Sequence, residues 1–190
     1  MFPWLRLAKI GMTLVGAPRV GLLDTTRVRL RVWPNDLDLN LHVNNGRYLT
    51  LADLGRFDWF VRSGTLQLAR QRDAIPVTGD AIAKFRRELR VGQSFEIHSR
   101  LLGWDERWGF LEHRFVREGR VVGVVAIRGV FRSPQGPLDP GTLLSALIAQ
   151  GKSGVPTTSP PLPDWINHWH LGCEALSQVL RDEEKARGHR

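Results

Sequence analysis

Alternating apolar and polar positions mark the predicted β-strands of this chain. Between residues 25 and 33, two Val and one Leu alternate with three Arg, which is the period of a half-buried strand, and Pro34 ends it. The same period returns later in four segments, which we predict as strands 81–89, 95–101, 108–117 and 121–131. Short polar breaks at 105–107 and 118–119 suit hairpins, so the last three strands are predicted to form an antiparallel meander.

One long apolar segment separates the first strand from the others. Asn44 or Asn45 can cap its start and Gly64 can end it, which predicts a helix of about five turns. Apolar side chains cover most of its circumference, so we expect this helix to be largely buried. A shorter helix is predicted over residues 65–72.

A buried helix followed by antiparallel strands needs cover on several sides, and only the sheet can supply it here. We therefore predict an α+β protein with a single hotdog fold, an antiparallel β-sheet wrapped around a long central α-helix. The fold is expected over residues 25–138, after an apolar and basic N-terminal segment at 1–24. Residues 139–190 are predicted to form a C-terminal helical extension, with helices near 143–150 and from about 164 joined by a linker rich in Pro, Ser and Thr.

The composition says little more about the fold, but it restricts the classes of function that the chain can have. The chain has 190 residues, of which 42% are apolar, and this fits one globular domain. Its net charge of +8 favours an anionic partner, but the cations are dispersed and no nucleic-acid-binding pattern is evident. The single cysteine, Cys173, excludes an intrachain disulfide framework and a thiolate zinc site. We expect a cytoplasmic protein that needs neither metal nor cofactor.

The apolar N-terminal segment raises the question of a membrane anchor. Arg6 and Lys9 interrupt it well short of the roughly 20 uncharged residues that a spanning helix needs, and no pattern of a secretory signal follows. We expect it to pack on its own domain or on a partner subunit. Peripheral contact of residues 1–17 with a membrane surface is the alternative.

The segment richest in side chains that can take part in catalysis is DLDLNLHVNN at residues 36–45, directly before the long helix. The amino end of a buried helix offers unpaired N–H groups and a positive dipole end, which suit an oxygen that gains negative charge during acyl transfer. Asp38, Asn40 and His42 alternate, so in an extended segment their side chains leave on the same side. A carboxylate with a neighbouring amide and imidazole can position and activate water, which predicts a hydrolase site.

The same residue types also occur in loops that lead into helices. Taken singly, Asp36 is predicted to be a loop or cap residue, and Asn44 and Asn45 fit caps as well as substrate ligands. Asp53 on the helix is a second candidate for the working carboxylate because burial would raise its pKa, with an Arg ion pair as the alternative.

The segment DLDLNLHVNNGRYL resembles the D-x-D-x-N-x-H-V-N-N-x-x-Y signature of hotdog-fold acyl thioesterases, of the 4-hydroxybenzoyl-CoA thioesterase-like and plant acyl-ACP thioesterase type. AKFRREL and WDERWGFLEHRF, farther along, are similar to other segments of these enzymes. The resemblance carries the family's catalytic aspartate onto Asp38, as base or nucleophile. It carries the plant enzymes' asparagine, histidine and glutamate onto Asn40, His42 and Glu88, with a salt bridge as the alternative role of Glu88. One departure is Leu41, where many relatives have Gly before the His.

The resemblance implies an acyl-CoA or acyl-ACP thioesterase of fatty acid metabolism, with the helix amino end as the oxyanion site. Asn44, Asn45, Tyr48 and Trp59 are the candidate substrate-binding residues, and core packing is the alternative for Tyr48 and Trp59. We expect a homodimer or higher homo-oligomer, because a lone sheet on one helix leaves an uncovered edge strand. Two alternatives stay open: a non-catalytic acyl-CoA-sensing module, and a hotdog hydratase or dehydratase.

Overall fold

The computed structural model describes residues 3–149 and 155–188. The chain divides into two compact units, of which the first runs to Ser159 and the second begins at Pro160. The sequence predicts boundaries at residues 24 and 138. The described part of the second unit centres on a single helix, which starts at Asp164 as predicted and continues to Ala186.

The first unit is built on one antiparallel sheet. Its strands are β1 (Thr26–Arg31), β2 (Ile75–Phe85), β3 (Ser94–Trp104), β4 (Gly109–Arg117), β5 (Arg120–Ser133) and β6 (Gly136–Leu138). Their order is β1-β3-β4-β5-β2, and the short β6 also pairs with β5. The predicted meander of β3, β4 and β5 is confirmed.

The described residues of this unit form the α-helices α1 (Trp4–Leu14), α2 (Asn45–Ser63), α3 (Thr65–Arg70) and α4 (Pro140–Ala149), and a short 3₁₀-helix at Pro34–Asp36. The helix of the second unit is α5. Helix α2 is the long central helix, and Gly64 ends it with φ 79° as predicted. A Cβ at Gly55 would overlap Ser99 Oγ and lie 2.8 Å from Ile97 Cγ2 on β3. Glycine therefore lets α2 pack directly on the sheet.

Strand β2 corrects the predicted strand 81–89. It begins at Ile75, and its pairing with β5 continues through a register shift between Thr78 and Asp80. It ends at Phe85 because the next two amides, of Arg86 and Arg87, both donate to Val122 O. Glu88 therefore lies outside the sheet.

Other differences concern element ends and one short strand. Strand β3 extends to Trp104, and β6 was not predicted. Helix α4 begins at Pro140, before the predicted 143. The predicted end of that helix at residue 150 and linker residues 151–154 lie outside the described residues.

Helix α1 packs against α2 of its own unit, with Arg6 and Ile10 buried and Trp4, Leu5 and Met12 exposed. This is the packing that we expected on the domain itself. Within residues 3–149 and 155–188, no helix has the length and apolar character that crossing a bilayer requires.

Strand β2 is an edge of the sheet. Every one of its residues is exposed or half-exposed, including the apolar Ile75, Val77, Ile82 and Phe85. A long apolar edge of this kind is a template for pairing with another strand.

Candidate active site

The segment from Asp38 to His42 is a tight turn and not an extended segment. The Asp38 amide donates to His42 O (2.9 Å), and the Leu41 amide donates to Asp38 O (3.0 Å). The side chain of Asp38 takes part, since its Oδ1 accepts from the Asn40 amide at 2.9 Å. Leu41 has φ 58°, in the left-handed region that glycine favours, so this chain forms its turn with a leucine in a glycine-like conformation.

Asp36 holds the base of this turn and is fully buried. Arg6 from α1 donates to both of its carboxylate oxygens, Arg47 from α2 donates to Oδ1, and the Trp33 amide donates to Oδ2. Burial by itself would raise the pKa of Asp36, but these hydrogen bonds outweigh it and hold the pKa below its usual value. The predicted loop role of Asp36 is confirmed, and the part played by Arg6 was not predicted.

Six of the nine predicted site residues border one open depression, which we call the motif concavity. Its lining consists of Asp38, Asn40, His42, Val43, Asn45, Tyr48, Phe85, Arg86, Arg87 and Glu88. The turn, the start of α2 and the segment after β2 therefore meet at one place. The proximity of Glu88 was predicted only through the family resemblance.

Glu88 connects the turn to the segment that follows β2. Its Oε2 lies 2.7 Å from His42 Nε2, and its Oε1 accepts from Arg90 Nε at 2.8 Å. Glu88 thus forms a salt bridge with Arg90, which is the alternative role that the sequence allows, and it also fixes the imidazole of His42. A carboxylate in this position orients the ring and selects its tautomer.

The first turn of α2 is capped by Asn44. Its Oδ1 accepts from the Gly46 amide at 2.8 Å, and its backbone oxygen accepts from the Arg47 amide at 2.9 Å. Asn44 therefore has a capping role, while Asn45 lies at the head of the helix beside the motif concavity. The first backbone N–H groups of a helix have no acceptor within the helix, so the N–H of Asn45 is suited to bind an oxygen that carries negative charge.

Tyr48 forms the floor of the motif concavity. Its ring packs edge-on against Phe85 at 5.1 Å and Phe115 at 4.8 Å between centroids. Burial raises the pKa of Tyr48 to about 12, so the phenol is neutral at physiological pH.

Two exposed arginines, Arg86 and Arg87, lie at the rim of the motif concavity. Neither forms an ion pair with a residue of the described chain, although Glu88 beside them is paired with His42 and Arg90. The rim therefore carries positive charge that is free to meet an anionic group.

Asp53 lies farther along α2 and does not border the motif concavity. It forms an ion pair with Arg56, which also donates to Thr78 Oγ1 on β2 at 2.8 Å. Burial raises the pKa of Asp53, and the Arg56 charge offsets only part of that effect. Both predicted properties of Asp53, the raised pKa and the Arg partner, are present.

A second space, which we call the apolar cavity, lies near the carboxyl end of α2 and has a volume of about 130 Å³. Its wall is formed by apolar residues of the sheet, of α2 and of α4, among them Trp59, Leu111, Ile127, Leu143, Leu144 and Leu147. Trp59 therefore belongs to this cavity and not to the motif concavity. Its indole N–H is buried and finds no acceptor in the described chain.

No metal centre is evident in the part of the chain that the structure describes. There, no group of three or more His, Cys, Asp or Glu side chains is placed to hold an ion.

Comparison with known proteins identifies the class of this fold. A family model described as the thioesterase-like superfamily matches residues 32–170. "Protein THEM6" of Danio rerio is 36% identical over 157 residues, which cover 80% of this chain and 72% of that protein.

Solved structures share the architecture. The probable thioesterase YbaW from Escherichia coli superposes with a TM-score of 0.58 at 24% identity, over 65% of this chain and 93% of that chain. A 4-hydroxybenzoyl-CoA thioesterase variant complexed with 4-hydroxybenzoyl-CoA gives a TM-score of 0.56 at 15% identity, over 64% and 96% of the two chains. These likenesses confirm the hotdog fold.

Proposed function

Because this chain belongs to the thioesterase-like superfamily, we propose that it is a hydrolase that cleaves an acyl thioester into a free acid and a thiol. The observation that carries the proposal is the motif concavity, where the carboxylate of Asp38, the imidazole of His42 and the head of α2 border one space. A carboxylate base and a backbone donor are the two groups that this hydrolysis requires.

In the general-base route, Asp38 takes a proton from water while the water oxygen bonds to the thioester carbonyl carbon. The carbonyl oxygen becomes negative, and the amide of Asn45 at the head of α2 stabilises it. The C–S bond then breaks as the carbonyl re-forms, and the thiolate takes up a proton. In the nucleophilic route, Asp38 itself bonds to the carbonyl carbon and expels the thiolate, and water then hydrolyses the resulting anhydride.

Asn40 and His42 are proposed to fix the geometry of the site around Asp38. The backbone N–H of Asn40 donates to Asp38 Oδ1, which fixes the rotamer of the carboxylate. Glu88 holds His42 at 2.7 Å, so the imidazole faces the concavity in one orientation. These two residues are therefore assigned to positioning water and substrate around Asp38.

The carrier is proposed to be a phosphorylated thiol, coenzyme A or the phosphopantetheine arm of acyl carrier protein. Both carry phosphate, and Arg86 and Arg87 place two free cations at the rim of the motif concavity. Guanidinium groups bind phosphate through paired hydrogen bonds.

The functional unit is proposed to be a homodimer. Strand β2 is an open edge with Ile75, Val77, Ile82 and Phe85 exposed, and it borders the motif concavity through Phe85. Pairing with the same strand of a second copy would satisfy its backbone groups and cover these side chains.

The function is tested by following thiol release from a panel of acyl-CoA esters. Turnover by the wild-type protein is the expected result. Tight binding of acyl-CoA without any thiol release would instead identify a sensing module and contradict the proposal.

The proposed carrier is tested by comparing a substrate that carries phosphate with one that does not. Replacing Arg86 and Arg87 by Ala is expected to raise KM for acyl-CoA at least tenfold, and to leave KM unchanged for the same acyl group on N-acetylcysteamine, which lacks phosphate. Arg70→Ala serves as the control, because this arginine is also exposed but lies on α3, away from the concavity. Equal effects of the Arg86/Arg87 change on both substrates would rule out phosphate recognition there.

A further inference from the structure

The outward side of helix α1 is apolar. Its exposed side chains there are Trp4, Leu5, Ala8 and Met12, which we call the α1 stripe. They fall within about 100° of one another around the helix axis, and Lys9 lies at the border. Trp4, Leu5 and Met12 are between 68% and 76% exposed. A helix on the surface of a globular domain usually carries polar residues on its outer side, so α1 departs from that pattern.

The inward side of α1 is fixed to the domain. Arg6 forms the buried ion pair with Asp36 and donates to Arg31 O, and Ile10 belongs to the hydrophobic core. Helix α1 cannot turn its outward side toward the domain without breaking this buried pair. The α1 stripe is therefore held in an exposed position.

Cationic residues predominate in the part of the chain around the stripe. Between residues 3 and 35 the sequence has one acidic residue, Asp24, and six cationic residues, namely Arg6, Lys9, Arg19, Arg27, Arg29 and Arg31. Asp36 neutralises Arg6, which leaves a clear excess of positive charge.

Three of these cations, Arg27, Arg29 and Arg31, form what we call the arginine row. They alternate with buried or half-buried residues of β1, so all three are exposed on the side of the strand away from the core. At about 3.3 Å per residue the row covers about 13 Å. Glu96, opposite Arg29 on β3, offsets part of this charge but is itself hydrogen-bonded to His98.

The arginine row ends beside α1. Trp33 continues the alternation two residues after Arg31, and the guanidinium group of Arg6 packs on its ring at 4.2 Å. The Arg31 backbone oxygen also accepts from Arg6. The α1 stripe and the arginine row therefore belong to neighbouring parts of the surface.

An apolar helix side next to exposed cations matches the surface of a bilayer that contains anionic phospholipids. Trp, Leu and Met side chains insert among lipid head groups, and Lys and Arg bind their phosphates. The stripe of a second copy is a poorer partner, because the pairing would bring Lys9 and the arginine row close to the same cations of that copy.

We propose that α1 lies flat on an anionic membrane surface, with the α1 stripe inserted among the head groups and with Lys9 and the arginine row facing the phosphates. This membrane binding goes beyond the proposed hydrolysis and does not depend on it. Because Arg6 joins α1 to Asp36, the bound helix would hold the base of the motif turn near the bilayer.

The choice of lipid is tested by sedimentation with vesicles. We expect the wild-type protein to bind vesicles of phosphatidylcholine and phosphatidylserine in equal parts, and to bind pure phosphatidylcholine vesicles at least tenfold more weakly. Added salt should weaken the binding to the anionic vesicles. No binding to the anionic vesicles, or equal binding to both kinds, would overturn the proposal.

The inserted side chains are tested with two matched double variants. Leu5→Gln with Met12→Gln removes apolar side chains from the stripe and should lower binding to the anionic vesicles at least tenfold. Leu171→Gln with Leu176→Gln removes two exposed leucines from α5 and should bind as the wild type. Loss of binding in the α5 variant alone would overturn the assignment to α1. Should the α1 double variant unfold, Leu5→Gln alone is judged by the same measurement.

The role of the arginine row is tested at constant net charge. Arg27→Gln with Arg31→Gln should weaken binding to the anionic vesicles, whereas Arg70→Gln with Arg120→Gln removes two exposed cations elsewhere and should have a smaller effect. Equal effects of the two double variants would contradict the role of the row.

Light scattering without lipid distinguishes the other occupant. A wild-type protein that ignores vesicles, but whose assembly dissociates in the Leu5→Gln, Met12→Gln variant, would identify the stripe as an interface between copies and overturn membrane binding. None of these measurements uses turnover, so a failure here leaves the hydrolase proposal to its own test.

Discussion

Arg6 and Asp36 form a buried two-pronged ion pair, with Nη1 to Oδ1 at 2.9 Å and Nη2 to Oδ2 at 2.6 Å. The arginine comes from α1 and the aspartate from the base of the motif turn, thirty residues later. Arg6 also donates to Arg31 O and stacks on the Trp33 ring at 4.2 Å. Helix α1 is thereby part of the framework that holds the site.

Removing this arginine should destabilise the protein. Arg6→Met leaves a buried carboxylate with fewer partners, and the expected loss at pH 7 is about 3 kcal/mol of unfolding free energy. Lys9→Met, on the exposed side of α1, is the control and should have little effect. Urea unfolding of the three proteins measures both changes.

The effect of Arg6→Met should depend on pH in a defined direction. The pKa of Asp36 is lowered in the folded protein, so its ionised form contributes stability above its ordinary value of 3.8 and loses it as the pH falls through the folded pKa. The difference between wild type and Arg6→Met should therefore be full at pH 7 and shrink well below pH 4. A constant difference across this range would contradict the ion-pair account.

The identity of the working carboxylate can be decided with two matched variants. Asp38→Asn keeps the size of the side chain but removes the base or nucleophile, so turnover should fall about 10²–10⁴-fold while acyl-CoA binding and melting temperature stay near wild type. Asp53→Asn, in the ion pair with Arg56, should lower stability more than turnover. A folded, inactive Asp53→Asn protein beside an active Asp38→Asn protein would move the carboxylate onto α2.

The turn at Leu41 offers a test of backbone strain. A left-handed conformation costs a non-glycine residue roughly 1–2 kcal/mol, and glycine loses about 0.5–1 kcal/mol of entropy on folding. Leu41→Gly should therefore raise the unfolding free energy by about 0.5 kcal/mol. Leu39→Gly, in the same turn at a fully exposed position without positive φ, should lower it, and thermal unfolding compares the two.

Those parts of the site that depend on local sequence could be predicted. The cap at Asn44, the stop at Gly64 and the loop role of Asp36 follow from residue types at helix ends. The path of the motif turn could not be predicted from alternation, because its hydrogen bonds from Asn40 and Leu41 to Asp38 override the two-residue period.

Contacts between residues far apart in the chain could not be predicted from the sequence. Arg6 resembled one of many dispersed cations, and only the fold shows that it reaches Asp36. The start of β2 at Ile75 could not be predicted, because no local pattern shows that its pairing with β5 continues past the bulge near Gly79. The role of α4 as a cavity wall depends on packing against residues far away in the chain, which no local pattern records.

The assembly can be tested at the β2 edge. We expect the wild-type protein to be at least a dimer by light scattering at micromolar concentration. Ile82→Lys places a charge on the exposed face of β2 and should shift the protein toward monomer, while Val91→Lys, exposed but outside β2, should not. A wild-type monomer would refute the proposed pairing.

Metal removal gives a simple prediction. Dialysis against EDTA should leave thioester hydrolysis unchanged, because the proposed chemistry uses a carboxylate and backbone donors. Activity that disappears with the chelator and returns with zinc would require a different mechanism.

The contact at Gly55 sets how closely the central helix can approach the sheet. Since even a methyl group at this position would collide with Ser99 and Ile97, a larger residue there would have to push α2 away from β3. Residue 55 is therefore a point where a single added carbon would change the spacing of the two layers between which the core is packed.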